Sequence, residues 1–192
     1  MKWSRGFAVI LACAAAVLAG CGPVHATPAQ IIFLRHAEKP NQGPELNERG
    51  RERAAALVNL FTHDPRVLEH GPAAAIFVMK PAKAGGSVRA IQTMEPAARA
   101  LGVTPDTSLT RDELKALVKA INANRTLEGK TVVVCWEHDA IPKMLDAFGW
   151  TGGPGRWADK TFDRLWILDF KEGVPVRFRD LPQNLLPGDR AK

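Results

Sequence analysis

Two arginines, two histidines and several carboxylates stand where the edge of a sheet would gather them. Arg35 and His36 follow an apolar run, Ile31-Ile32-Phe33-Leu34, and are followed by Ala37, Glu38 and Lys39. Glu137, His138 and Asp139 follow a second run, Thr131 to Trp136, and Arg89 lies a little beyond a third, Ala74 to Met79. Open α/β sheets bind ligands beyond the carboxyl ends of their strands, so these positions are the ones to read for chemistry. The set suits phosphoryl transfer. A neutral imidazole nitrogen is a good nucleophile, and adjacent cations keep it unprotonated near neutral pH. Arginine offers a planar fork of donors that matches phosphate oxygens, and two of them hold the charge that spreads over the equatorial oxygens. A second histidine adds a donor, and a protonated carboxylic acid can give its proton to the leaving alkoxide. With arginines supplying the positive charge, no metal and no other cofactor is called for.

The elements that must position these groups are legible from the pattern of apolar residues. The short apolar runs read as strands buried on both faces of a parallel sheet. Between them, Ala54, Leu57, Leu60 and Phe61 have helical spacing. Ser87 can cap a helix carrying Arg89, Ile91 and Met94, which Pro96 bends or restarts and Gly102 ends. Thr110 and Glu113 form a capping box ahead of Leu114, Leu117, Val118 and Ile121. Ile141 to Phe148 is a helix with Pro142 in its first turn and Gly149 just past its end. Arg164 to Phe170 and Val174 to Phe178 are two strands joined at Glu172-Gly173. This alternation predicts a three-layer α-β-α sandwich with a mostly parallel sheet. With one short helix between Gly102 and Thr131 there is no large cap domain, so a shallow, open site is expected. Trp136, Trp150 and Trp157 could border it, though tryptophans at such places are as often core, and Gly152-Gly153-Pro154-Gly155 could move as a partial lid.

The string Phe33-Leu34-Arg35-His36-Ala37-Glu38-Lys39-Pro40 resembles the signature of the histidine phosphatase superfamily, also called phosphoglycerate-mutase-like. Leu46-Asn47-Glu48-Arg49-Gly50 with Ala54 is similar to the motif that opens that family's first helix. Ser87 to Thr93, with Arg89, Gln92 and Thr93, looks like the segment carrying its second arginine, and Glu137-His138-Asp139 resembles the surroundings of its second histidine. The resemblance implies a phosphoglycerate-mutase-like fold and a metal-independent phosphatase acting on phosphomonoesters through a phosphohistidine on His36. Arg35, Arg89 and His138 would complete the phosphate pocket. In the acid phosphatase branch the proton donor follows the second histidine directly, which matches Asp139; Glu137 is the second choice, with Glu38 and Asp112 behind. Ala37 departs from the glycine usual at its position and could narrow the site.

Blander readings stand beside these. Asp139 could be a helix N-cap, Glu38 and Lys39 a surface ion pair, Cys135 a small core residue. A phospho-ligand-binding module of the cell envelope, weak or inactive as a catalyst, is the alternative function. A metal-dependent hydrolase using His36, Glu137, His138 and Asp139 as ligands is a third reading.

Composition bounds the rest. The 192 residues are 46% hydrophobic and 24% charged, as in a globular protein with one domain. The net charge of +6 falls to about +4 without Lys2 and Arg5, suiting an anionic partner such as a phosphorylated small molecule or phosphoprotein. No basic run or aromatic-basic interleaving points to nucleic acid. Lys2, Arg5 and the apolar stretch Phe7 to Leu18 read as a signal peptide, ending in Leu18-Ala19-Gly20-Cys21. That ending resembles a bacterial lipobox, with Cys21 the lipidation site and Gly22 favouring the outer membrane, facing the periplasm. Cleavage after Val24-His25-Ala26 is the rival and would release a soluble periplasmic protein. The expected division is thus a signal peptide at 1–21, a tether at 22–29 and the phosphatase-like domain at 30–188, in the envelope of a bacterium.

Overall fold

The computed structural model describes residues 27–190, so the signal peptide, Cys21 and the alternative cleavage site lie outside the described residues. The first strand, β1 (Gln30–Arg35), is buried along its whole length, as is β3 (Thr131–Trp136). These are the runs without polar alternation, and the reason is their place. The sheet has the order β2-β3-β1-β4-β5, where β2 is Ala73–Val78, β4 is Arg164–Lys171 and β5 is Val174–Pro182. Central strands covered on both faces have no solvent side on which to carry polar residues.

Among the described residues four α-helices complete the fold: α1 (Glu48–His63), α2 (Arg89–Leu101), α3 (Leu114–Ala123) and α4 (Ile141–Ala147). They pair as α1 with α2 and α3 with α4. Asn47 caps α1, its side-chain oxygen accepting from the Gly50 N–H at 2.8 Å. Gly50 itself faces the backbone of Glu38, where a Cβ would come within 2.2 Å of the carbonyl oxygen. The Asn-Glu-Arg-Gly motif is therefore a docking device, holding the start of α1 against the chain leaving β1.

Three local expectations are corrected. Ser87 does not cap α2: Val88 precedes the helix, without a side-chain cap bond, and the Ser87 hydroxyl is buried without a partner. Pro96 does not restart α2, which runs unbroken from Arg89 to Leu101. Of the capping box, Glu113 accepts from the Thr110 N–H and hydroxyl, but these residues form a turn ahead of a helix beginning at Leu114.

The expected mostly parallel sheet holds in part. β2, β3 and β1 are parallel neighbours, whereas β4 runs antiparallel to both β1 and β5. Glu172 and Gly173 have φ of 52° and 84°, the paired left-handed conformation of a tight hairpin, which forces β5 back alongside β4. Because β4 is antiparallel to β1, the residues that precede it stand at the carboxyl end of β1. That reversal brings the end of the loop at 149–163 to the site, with Asp159 and Phe162 on it.

Candidate active site

Arg35 on β1 is the register partner of Trp136 on β3, so the chain leaves the two parallel strands side by side. The His36 N–H donates to the Trp136 carbonyl at 3.2 Å. The next residues are thereby neighbours: His36 Nε2 lies 3.8 Å from Glu137 Oε1. The His36 side chain is only 1% exposed, so the site is not open as expected. Its Nδ1 lies 2.7 Å from the Ala37 carbonyl oxygen. A carbonyl can only accept, so Nδ1 carries the hydrogen and Nε2 keeps its lone pair in the neutral ring. Nε2 is buried and has no hydrogen-bond partner.

Arg35 is buried beside it. Nη1 donates to the carbonyls of Ala158 (3.4 Å), Asp159 (2.7 Å) and Thr161 (3.2 Å), and the guanidinium lies 4.0 Å from the centre of the Phe162 ring. Nε is buried without a partner. Burial pulls the Arg35 pKa down to about 10, against the raising influence of Glu137, so it stays a cation at neutral pH. Phe162 also stands 6.1 Å from the His36 ring, covering the site from the side of the loop ahead of β4.

The second motif clamps the connection leaving β1. Thr93 Oγ1 accepts from the Ala37 N–H at 2.8 Å and donates to the Arg89 carbonyl at 2.7 Å. Gln92 Oε1 accepts from the Leu46 N–H at 2.9 Å. Arg89 donates through Nε to the Glu45 carbonyl at 3.1 Å and through Nη2 to that of Gly43. Its helix thus begins at the site end of the sheet, but its guanidinium is occupied by the loop at 43–45.

His138 is held between two carboxylates, Nδ1 at 3.1 Å from Glu137 Oε1 and Nε2 at 3.4 Å from Asp159 Oδ1. Glu137 therefore bridges the two histidines. When the His36 ring also carries a hydrogen on Nε2, its hydrogen bond, aided by His138 and opposed by burial, holds the Glu137 carboxyl down at about 2. Asp139 is half exposed and paired with Arg111, and it does not cap α4, which Ala140 precedes. Glu38 is no surface partner of Lys39: it is buried, with both oxygens on Arg53 at 2.7–3.1 Å. Asp112 is 93% exposed. Among the described residues the ligand atoms of Glu137, His138 and Asp139 come within 4.8 Å of one another, but His36 is not part of that cluster, so the four-ligand metal set is not assembled.

Neither the protein-family models nor the curated protein sequences match this chain. Solved structures do. SixA, a protein histidine phosphatase complexed with tungstate, superposes with a TM-score of 0.57 at 13% identity, covering 80% of this chain and 97% of that one. A phosphoglycerate mutase from Bacillus anthracis superposes at 0.55 and 10% identity, over 80% and 92%. A SixA chain from Agrobacterium tumefaciens gives 0.53 and 19%, over 79% and 98%.

The fold is phosphoglycerate-mutase-like.

Within this phosphoglycerate-mutase-like frame, sequence reasoning missed Asp159 and Phe162, since their loop follows a helix and carries no apolar run. Of the two readings open for the tryptophans, the core one holds. Trp136 is fully buried, its Nε1 donating to the Arg111 carbonyl at 2.9 Å, and Trp157 packs on Trp166 with ring centres 4.5 Å apart. Trp150 stacks on Phe178. All three are packing residues. The packed body also runs past residue 188: Asp189 Oδ1 accepts from Arg53 at 2.7 Å, closing a buried network with Glu38 and Gln183.

Proposed function

We propose that this chain is a metal-independent phosphatase that hydrolyses phosphomonoesters through a phosphohistidine on His36. The observation that carries the reading is the His36 imidazole: its hydrogen is committed to the Ala37 carbonyl at 2.7 Å, and its other nitrogen is buried beside an arginine with no partner of its own. A lone pair so oriented is a nucleophile awaiting an electrophile. The likeness to a histidine phosphatase complexed with tungstate, a tetrahedral oxyanion, supports the same reading at the level of fold.

In the first step the His36 Nε2 lone pair forms a bond to phosphorus as the ester P–O bond breaks. Arg35, whose Nε is free, donates to the phosphoryl oxygens, and His138 joins it once its Nε2 leaves Asp159. Arg89 joins them once its guanidinium leaves the 43–45 carbonyls. The leaving alkoxide needs a proton, and Glu137 is better placed than Asp139 to give it: it lies 3.8 Å from Nε2, whereas Asp139 is turned to Arg111. An arriving phosphate dianion raises the Glu137 pKa by like charge, and a neutral His36 no longer donates to it, so Glu137 takes up the proton that it then delivers. In the second step water attacks the phosphohistidine, Glu137 accepts a proton from it, and phosphate leaves with His36 neutral again. Entry requires the Phe162 loop to move, because the nucleophile is otherwise covered.

The substrate class is a phosphorylated small molecule or phosphoprotein. Lipidation at Cys21 would hold the domain at the bacterial envelope, facing the periplasm. The alternative, a phospho-ligand-binding module, draws on the burial of His36 and the carboxylate facing it.

Brief incubation with a 32P-labelled phosphomonoester separates the two. A phosphatase gives a base-stable, acid-labile phosphoenzyme that is lost in His36→Ala, with turnover unaffected by a chelator. Ligand binding without labelling would establish the binding module instead, and chelator-sensitive turnover would establish the metal enzyme.

A further inference from the structure

A second cavity, of mixed polar and apolar lining, lies behind the loop ahead of β4. It has a volume of about 240 Å3, and its walls include Arg156, Trp157, Arg164, Trp166, Asp180 and Arg190, with none of His36, Glu137 or His138 among them. Arg164 is fixed by Asp180: Nε donates to Asp180 Oδ1 at 2.7 Å and Nη2 to the Asp180 carbonyl at 2.8 Å. Its Nη1 is buried and has no partner. A charged donor in that state is unfavourable unless something accepts from it. Arg156 and Arg190 stand on the same walls, 76% and 53% exposed, and each is paired with a carboxylate of its own, Asp159 at 2.9 Å and Asp163 at 3.1 Å. Arg164 Nη1 is thus the buried donor that these walls leave unpaired among the described residues, while Trp157 and Trp166 contribute apolar lining.

We propose that this cavity binds a small organic anion, its carboxylate or phosphate group on Arg164 Nη1 and its apolar body against the tryptophans. A volume below the roughly 300–1,000 Å3 usual for larger ligands restricts the occupant to a compact molecule. The site is joined to the first one through the chain. Ala158 and Thr161 line the cavity, and their carbonyls accept from Arg35, so an occupant steadies the loop that covers His36.

Calorimetric titration of the full chain with phenylphosphonate, and separately with benzoate, tests this. Both are run on the wild type and on His36→Gln, which removes the nucleophile and leaves the cavity intact. Saturable binding of either probe is expected in both proteins, and the tighter one tells phosphate from carboxylate. Arg164→Gln in the His36→Gln background should weaken it at least about tenfold, the worth of one charge-assisted hydrogen bond. Ala158→Leu, which fills the mouth and leaves every ion pair in place, should weaken it comparably and decides the matter if Arg164→Gln does not fold. Absence of saturable binding in His36→Gln, or binding unchanged in Ala158→Leu, would overturn the proposal.

Discussion

His36 Nε2 and Glu137 Oε1 face each other across 3.8 Å at the ends of adjacent parallel strands. The anionic oxygen lies close to where a phosphoryl group must come. Glu137→Gln should therefore have two opposite effects. Inorganic phosphate should inhibit the variant more tightly, because a repelling charge is gone. Turnover of an alkyl phosphate should fall by about 10²-fold or more, the usual worth of a general acid. Turnover of p-nitrophenyl phosphate, whose anion leaves without a proton, should fall much less. Equal losses on both esters, or a larger leaving-group-dependent loss in Asp139→Asn, would move the role of acid away from Glu137.

Thr93 ties α2 to the residue after the nucleophile. Thr93→Val keeps the volume but leaves the buried Ala37 N–H unpaired, costing about 1–3 kcal/mol. Urea unfolding should detect that loss, and Thr93→Ser should restore both stability and turnover. A valine variant as stable as the parent would mean that this bond does not hold the loop.

Gly50 separates two principles of opposite sign. Alanine in a helix is better than glycine by about 1 kcal/mol. Here its Cβ would lie 2.2 Å from the Glu38 carbonyl oxygen, and overpacking against backbone costs about 1–3 kcal/mol or more. Gly50→Ala should destabilise the protein by about 2 kcal/mol in thermal or urea melts. Stabilisation would show that α1 can slide away from Glu38.

The Arg53 network makes the fold acid-sensitive. Burial pushes the Asp189 carboxyl up, but hydrogen bonds from Arg53 and the Leu185 and Leu186 N–H groups outweigh it and hold it at about 2. A folded pKa below the unfolded value of about 3.9 gives stability that is complete above that pH and lost as the pH falls toward 2. Asp189→Asn leaves Arg53, 2% exposed, short of a charge and should cost about 3–5 kcal/mol at neutral pH. Its stability should also vary less between pH 4 and pH 2 than that of the parent. A variant with the parent's stability and acid profile would show that the C-terminal residues are not part of the clamp.

The apolar runs by themselves determined the central strands, because a segment buried on both faces needs no polar alternation. They also determined which residues leave those strands, hence the neighbourhood of Arg35, His36, Glu137 and His138. Local turn chemistry fixed Asn47, Pro142, Gly149 and the Glu172-Gly173 hairpin, each a matter of a few adjacent residues. Strand direction was not local. Whether β4 runs with or against β1 depends on which edge of the sheet is free and on where the loop at 149–163 returns, and nothing in the composition of that loop records it. That one reversal delivers Asp159 and Phe162 to His36 and turns an expected open site into a covered one. The partners of Glu38 and Asp139 were equally out of reach. A carboxylate at a strand end reads alike whether it meets water, Arg53 or Arg111, and only the packing of α1 and the turn at 111 decides among them.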